Sequence, residues 1–180
     1  MRPLLIIVVL VILFSFSLQG ATDKPIKDGF YFFTCKTTGG VLDIDSSSKE
    51  EGAQLIISPY YQGSPSQHFV LRNQGREYAS LISTRSHMAL TATRKGEGST
   101  IQQVPNKSQK KPSAFQLFRF IPTGDGYFLI QNKVSNLYIV CNGLAKSQSG
   151  SHLATLFHAD KSGDLENFKF AVSDTFSKKN

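Results

Sequence analysis

The sequence has no tryptophan, only two cysteines and, after residue 18, no long apolar segment. Two cysteines, Cys35 and Cys141, are too few for a small fold that depends on disulfides. A membrane-spanning helix needs about 20 apolar residues, and no segment after residue 18 is that long. These absences exclude a disulfide-rich miniprotein and a multi-span membrane protein, and they leave a chain that folds around a hydrophobic core.

The sequence also lacks the motifs of common enzyme classes. It has no Gly-x-Ser-x-Gly nucleophile motif, and GEGST at 96–100 lacks the lysine and the following helix of a phosphate-binding loop. Asp43 and Asp45 lie two residues apart on one predicted strand, which indicates no cleft for paired acid and base catalysis. No zinc-site spacing occurs among the four histidines, His68, His87, His152 and His158. We therefore predict a protein that is not an enzyme and needs no metal or cofactor.

The N-terminal segment MRPLLIIVVLVILFSFSLQGATD has the layout of a secretory signal peptide. A basic residue, Arg2, precedes the apolar residues 4–18, and the small residues Gly20 and Ala21 follow. An uncleaved membrane anchor, the alternative, normally needs a longer apolar segment. We expect residues 1–20 to be a signal peptide and residues 21–180 to form one secreted domain, because no linker divides them.

The net charge of the chain is +7, and its basic residues are scattered apart from small groups at 94–95, 107–111 and 178–179. We interpret them as the solvated surface of a soluble protein, and weak binding to sulphated glycans is the alternative. No basic run is interleaved with aromatic residues, so we expect no nucleic-acid partner. Asn106 begins the glycosylation sequon Asn-Lys-Ser.

One short pattern occurs three times along the chain, 49 and 50 residues apart. Its copies are Gln67-x-Phe69-x-Leu71, Gln116-x-Phe118-x-Phe120 and Glu166-x-Phe168-x-Phe170. In each copy an aromatic residue also stands twelve residues before an aliphatic one; the aromatic residues are Phe30, Tyr78 and Tyr127. A glycine stands three residues before another aliphatic residue; these glycines are Gly52, Gly98 and Gly150. The chain therefore contains three units, at about 28–74, 75–124 and 125–173.

Each unit contains sequence typical of short β-strands. FYFFTC, EYASLIST and GYFLIQN are β-rich runs that precede turn residues, and HFVL, FQLFRF and FKFAV alternate as strands with one buried face do. About four strands in each unit give about twelve in all, with no helix. A unit of this size cannot bury its apolar face alone, whereas three units around an axis close the sheet. We predict an all-β fold, a β-trefoil with pseudo-threefold symmetry, with the repeated phenylalanines of the pattern in its core.

The chain resembles the ricin B-type lectin domain, a β-trefoil with three Q-x-W/F repeats. The segments that carry the resemblance are TTGGVLDI (37–44), EGAQL (51–55), SQHFVL (66–71) and GDGYFLIQN (124–132), with phenylalanine replacing tryptophan throughout. The resemblance implies a carbohydrate-binding protein. Glycans of the galactose type are the partners that it suggests.

The resemblance also implies where a sugar site would lie. In family members with a working site, an aspartate follows the aliphatic residue of the second strand, an amide and an aromatic residue lie on and after the third, and an Asn-Gln pair opens the fourth. Asp43 and Gln67 match this pattern in the first unit. The departures there are Ser66 for the asparagine, Ile56 for the amide and Ser58 for the aromatic residue.

The two later units depart further from the family pattern, since Thr91 and Val140 occupy the aspartate position. In the first unit, Tyr60 or Tyr61 is a substitute for the missing aromatic platform. We therefore expect at most one retained galactose-type site, formed by Asp43, Gln67, Tyr60, Tyr61 and Ser66.

The same residues also have structural interpretations. A glutamine at the Gln67 position commonly bonds backbone and steadies the repeat, and Asp43 is an alternative cap for the turn at 45–47. Tyr60 and Tyr61, between Pro59 and Gly63, are typical of an exposed contact surface. If the sugar positions have decayed, the fold would serve as a protein-binding β-trefoil with a cell-surface or secreted partner.

The two cysteines fall on apolar strand positions of different units. The family's usual disulfide joins two points inside one unit, and neither partner position here is a cysteine. We expect Cys35 and Cys141 to be buried free thiols, with a bridge between units as the alternative.

Overall fold

The computed structural model describes residues 26–75, 77–106, 111–141, 146–147, 149–159 and 165–175. The predicted signal peptide at 1–20, most of the basic group at 107–111, the pair at 178–179 and the last two residues of the sequon at Asn106 lie outside the described residues. Within the described ranges, no helix is both long and apolar enough to span a membrane.

The described chain is built from strands, as predicted, joined by turns and four short 3₁₀ turns. The strands are β1 Gly29–Cys35, β2 Val41–Ile44, β3 Leu55–Ser58, β4 Phe69–Asn73, β5 Tyr78–Ser83, β6 Ala89–Ala92, β7 Ser99–Val104, β8 Phe118–Pro122, β9 Phe128–Asn132, β10 Tyr138–Val140, β11 His152–Leu153, β12 Thr155–Phe157 and β13 Lys169–Asp174. The 3₁₀ turns are Asp45–Ser47, Pro65–Gln67, Ala114–Gln116 and Leu165–Phe168.

The described residues form thirteen strands where about twelve were predicted, because the third strand of the third unit is interrupted at Ala154. The two pieces, β11 and β12, pair with different neighbours, β3 and β10 respectively. Between them the backbone N–H of Ala154 donates to the Leu55 carbonyl at 3.0 Å. With the two pieces counted as one strand, each unit has four.

Six strands form a closed barrel. Each pairs antiparallel with two others in the ring β1-β4-β5-β8-β9-β13, and β13 returns to β1. The middle strands of each unit form the hairpins β2–β3, β6–β7 and β10–β12. These hairpins contact one another through the β3–β11 and β7–β12 ladders. This arrangement confirms the predicted β-trefoil.

The core is filled by phenylalanine and aliphatic side chains. Phe69, Phe118 and Phe168, the repeated residues of the sequence pattern, are fully buried, as predicted. Phe33 packs at 6.1 Å from Phe69 and at 5.7 Å from Phe120, measured between ring centroids. Burying one such ring stabilises the fold by roughly 1.5–3 kcal/mol, so these aromatic residues replace the tryptophans that the sequence lacks.

The repeated glycines turn the chain before the third strand of each unit. Gly52, Gly98 and Gly150 have φ values of 86°, 70° and 82°. This left-handed backbone is favourable for glycine and unfavourable for residues with a Cβ. The predicted glycine turns are therefore confirmed.

One sequence prediction about the repeat is wrong. Gln67 and Gln116 do not open the closing strands but end the 3₁₀ turns Pro65–Gln67 and Ala114–Gln116, and Glu166 lies in the turn Leu165–Phe168. The strands begin only at Phe69, Phe118 and Lys169. In the first two turns the amide side chain bonds nearby backbone and side-chain groups, which is possible because it is not part of a strand ladder.

Cys35 and Cys141 are free thiols, each with 1% of its surface exposed. The Cys141 thiol donates to the Lys169 carbonyl at 3.7 Å. A hydrogen bond with the Cys35 side chain and burial both raise the pKa of the Cys141 thiol. The prediction of buried free thiols is confirmed.

Candidate functional site

The candidate site lies in the first unit, between the β2–β3 hairpin and the segment that leads to β4. Asp43 lies on β2, opposite Ile56 of β3, and only 7% of its surface is exposed. Its Oδ2 atom accepts hydrogen bonds from Ser58 Oγ at 2.7 Å and from Gln67 Nε2 at 3.1 Å. The structure therefore brings Asp43 and Gln67, the two residues that match the family pattern, into direct contact.

The second oxygen of Asp43, Oδ1, is buried and has no hydrogen-bond partner among the described residues. A buried acceptor left without a donor costs about 1–3 kcal/mol, so this atom is the least satisfied part of the site. The alternative in which Asp43 caps the turn Asp45–Ser47 is wrong, since that turn has no side-chain cap. The carboxylate faces Ser58 and Gln67 instead.

Gln67 is fully buried and connects the site to the loop above it. Its Nε2 donates to the Pro59 carbonyl at 2.8 Å and to Ser58 Oγ at 3.0 Å, besides Asp43. Its Oε1 accepts from the Tyr61 backbone N–H at 2.8 Å. These bonds hold the backbone on both sides of Tyr60, so the structural role considered for this glutamine is confirmed.

The two tyrosines are the exposed part of the site, with 45% of Tyr60 and 59% of Tyr61 accessible. The Tyr60 ring stacks on Phe32 of β1, with centroids 5.0 Å apart and planes at 28°. Tyr61 contacts the site through its backbone N–H. Tyr60 therefore has a fixed aromatic neighbour that belongs to a barrel strand.

Ser66 is fully buried and bonds other serines rather than Asp43. Its Oγ lies 3.0 Å from Ser47 Oγ and 2.9 Å from Ser64 Oγ. The structure therefore gathers Asp43, Gln67 and the loop around Tyr60, and places the Ser66 hydroxyl in a separate contact.

Two residues of this region were not assigned a role from the sequence. Ser58, considered only as a replacement for an aromatic residue, is a hydrogen-bond partner of both Asp43 and Gln67. Phe32 supports the Tyr60 ring. The alternation of β1, in which Phe33 is buried and Phe32 is not, is the only sequence signal for Phe32.

The equivalent positions of the other units differ in charge and contacts. In the second unit, Gln116 Nε2 donates to Thr91 Oγ1 at 3.2 Å, so the same contact exists without a carboxylate. In the third unit, Val140 is apolar and Glu166 pairs with Lys36 at 2.7 Å and with Lys169. Hydrogen bonds with Lys169 and Lys36 lower the pKa of Glu166. At the position of Asp43, where the later units have Thr91 and Val140, only the first unit therefore carries a carboxylate.

A family model, the ricin-type beta-trefoil lectin domain-like family, matches residues 14–104, which is half of the chain. The chain belongs to this family. The resemblance to ricin B-type lectins is confirmed, and the chain has the fold of a carbohydrate-binding domain. No curated protein matches the chain.

Several solved structures are similar to this chain in fold. A designed threefold-symmetric protein, ThreeFoil, is 24% identical with a TM-score of 0.69, and the match covers 82% of this chain and 99% of ThreeFoil. An exo-beta-1,3-galactanase from Clostridium thermocellum is 23% identical with a TM-score of 0.68 over 83% of this chain and 31% of the galactanase. A Polyporus squamosus lectin, bound to a human-type influenza-binding epitope, is 9% identical with a TM-score of 0.64 over 83% of this chain and 50% of the lectin.

The chain thus spans about a third of the galactanase and half of the lectin. At these identities the likeness shows the β-trefoil fold alone.

Proposed function

We propose that the protein is a secreted, non-enzymatic lectin with one galactose-type site in the first unit. The observation that carries this proposal is the Asp43 carboxylate, with Oδ2 held by Ser58 and Gln67 and Oδ1 left without a partner. Such a carboxylate can accept hydrogen bonds from two adjacent hydroxyl groups of a sugar. A sugar would therefore satisfy the atom that the described protein leaves unsatisfied.

Access to Asp43 requires the loop at 59–64 to shift, because only 7% of the residue is exposed. The loop contains Pro59, the exposed Tyr60 and Tyr61, and Gly63 with φ of 77°. Two hydrogen bonds hold the loop in place: Gln67 Nε2 donates to the Pro59 carbonyl, and Gln67 Oε1 accepts from the Tyr61 N–H. In the proposed complex the loop opens and a tyrosine ring covers the apolar face of the sugar.

The test compares Asp43→Asn with Thr91→Ala on galactose-agarose and on an array of immobilised oligosaccharides. Thr91 is the matched control, because it occupies the same position in the second unit and bonds Gln116. Charge-assisted hydrogen bonds contribute about 1.5–3 kcal/mol, so Asp43→Asn should weaken binding about tenfold to a hundredfold while Thr91→Ala retains it. Thermal melting of both variants checks that they fold.

Equal glycan binding by the parent and Asp43→Asn would show that the site is wrong. A parent that retains no glycan but co-purifies with one secreted or cell-surface protein, whether or not sugars are added, would instead support the protein-binding alternative. The exposed tyrosines favour that alternative, since aromatic residues are enriched at protein interfaces.

A further inference from the structure

A pocket lies beside Tyr60, at the seam between the first strand and the last. Its volume is about 660 Å³, within the range of small-ligand pockets. Residues from β1, from the loop and from the end of β13 line it: Phe32, Tyr60, Gln62, Val172, Ser173, Asp174 and Thr175. Asp43, Ser58 and Gln67 are not among its lining residues. The pocket, here called the seam groove, therefore shares Tyr60 with the candidate site but contains none of its buried polar residues.

The seam groove contains a preorganised aromatic platform. Tyr60 stacks on Phe32, and Phe32 is in turn packed against the edge of His68, with centroids 6.1 Å apart and planes at 68°. Gln67 holds the backbone on both sides of Tyr60 through Pro59 and Tyr61. These contacts hold the ring in place. Because 45% of Tyr60 remains exposed, the ring is still accessible to a ligand.

Polar groups lie beside this platform. Ser173 stands directly opposite Phe32 in the β1–β13 ladder, and Asp174 follows it as an exposed carboxylate. Gln62 contributes an amide from the loop. An aromatic face together with a carboxylate, an amide and a hydroxyl is the combination that recognises a sugar ring, which has one apolar face and hydroxyls along its edge.

The strands beneath the groove argue against an extended peptide as its ligand. β1 pairs with β13 and β4, and β13 pairs with β1 and β9. Both strands therefore already have neighbours on both sides, whereas peptide binding by strand addition requires an unpaired strand edge. The groove therefore presents side chains rather than unpaired backbone groups to a ligand, and these side chains suit a saccharide.

We propose that the seam groove is a second saccharide-binding site, with the sugar ring on Tyr60 and its hydroxyls bound by Asp174, Ser173 and Gln62. This inference rests on the proposed carbohydrate-binding function but does not require Asp43 to bind a sugar. The site joins the first unit to the last strand of the third, so it exists only in the folded trefoil.

The experiment measures binding of the parent and five single variants to an array of neutral, sialylated and sulphated oligosaccharides. Tyr60→Ala and Asp174→Asn alter the groove, whereas Asp43→Asn and Tyr61→Ala alter the site around Asp43 and leave the lining of the groove unchanged. Tyr61 is the adjacent tyrosine and is more exposed, but it does not line the groove. Tyr60→Phe, which keeps the ring, checks that any loss comes from the missing platform, and thermal melting checks folding.

The groove predicts at least one glycan whose binding falls about tenfold or more in Tyr60→Ala and Asp174→Asn and persists in Tyr61→Ala and Asp43→Asn. Loss in Asp43→Asn with full binding by Asp174→Asn would overturn the groove and leave the proposed function intact. Equal losses in Tyr60→Ala and Tyr61→Ala would also overturn it, because the loop rather than the platform would then be responsible. A parent that binds no glycan on the array would overturn both proposals.

Discussion

At the scale of single residues, Gln67 does more for the candidate site than its place in a repeat suggests. It is buried, and its amide joins a carboxylate, a hydroxyl and two backbone groups. Gln116, its counterpart in the second unit, accepts from the Ser113 N–H and donates to Thr91. Both glutamines thus have a structural role, but Gln67 also orients Asp43 and the loop around Tyr60.

Replacing Gln67 by alanine should therefore destabilise the protein more than replacing Gln116. Gln67→Ala removes one hydrogen bond each from Asp43, Pro59 and Tyr61, and we expect a loss of about 2–4 kcal/mol in the free energy of unfolding, against about 1–2 kcal/mol for Gln116→Ala. Urea denaturation of both variants measures the difference. Equal losses would mean that the additional bonds of Gln67 contribute nothing to stability.

At the scale of elements, a network of ion pairs connects the barrel strands β1, β9 and β13 to one another. Lys36 follows β1, Lys169 begins β13, and both lie 2.9 Å from Asp125, which precedes β9. Glu166 pairs with the same two lysines. Hydrogen bonds with Thr123, Lys36 and Lys169 lower the pKa of Asp125. The third unit thus uses its acidic residue at the glutamine position to hold the barrel rather than a ligand.

This network predicts a particular acid dependence of stability. The pKa of Glu166 lies below its usual value of 4.5, so in the folded protein it stays ionised at pH values where the unfolded chain takes up a proton. Its contribution to stability is complete above pH 4.5 and is lost as the pH falls below that value. Glu166→Gln should lower the urea midpoint at pH 7 and make the midpoint less sensitive to pH between about 2 and 5.

Glu51→Gln is the control for this measurement, because Glu51 is exposed and lies outside the network. It should retain the pH profile of the parent. A Glu166→Gln profile with the same acid slope as the parent would contradict the role given to the network.

At the scale of the whole molecule, the two cysteines lie in one core that the three units build together. Cys35 belongs to the first unit and Cys141 to the third, yet both are members of the same buried cluster. Their burial follows from closure of the barrel and not from any one unit. The accessibility of the thiols therefore reports on the complete fold.

The native protein should resist alkylation by iodoacetamide at neutral pH and should take up two labels once urea unfolds it. The raised pKa of Cys141 keeps its thiolate scarce, and the 1% exposure of both cysteines keeps the reagent away from them in the folded state. Mass spectrometry without reductant counts the labels. An unfolded chain that takes up no label and is lighter by two hydrogens would reveal a Cys35–Cys141 bridge instead.

Much of the fold could be predicted because the pattern is repeated three times. The spacing of Phe69, Phe118 and Phe168 indicated three units, and each of these residues is buried in the core. The break at Ala154 could not be predicted, because it arises from pairing of β11 with a strand of the first unit. The 3₁₀ turn at Gln67 was missed because a glutamine before a strand and one within it look alike in sequence.

The sequence by itself determined the number of units, the core residues and the one position, Asp43, that carries a carboxylate where its two counterparts carry Thr91 and Val140. Only the tertiary structure decided that Oδ1 of Asp43 has no donor among the described residues and that Tyr60 stacks on Phe32. The physical reason is that core burial follows a periodic pattern along the chain. Hydrogen-bond satisfaction and ring stacking depend on neighbours that only the closed barrel brings together.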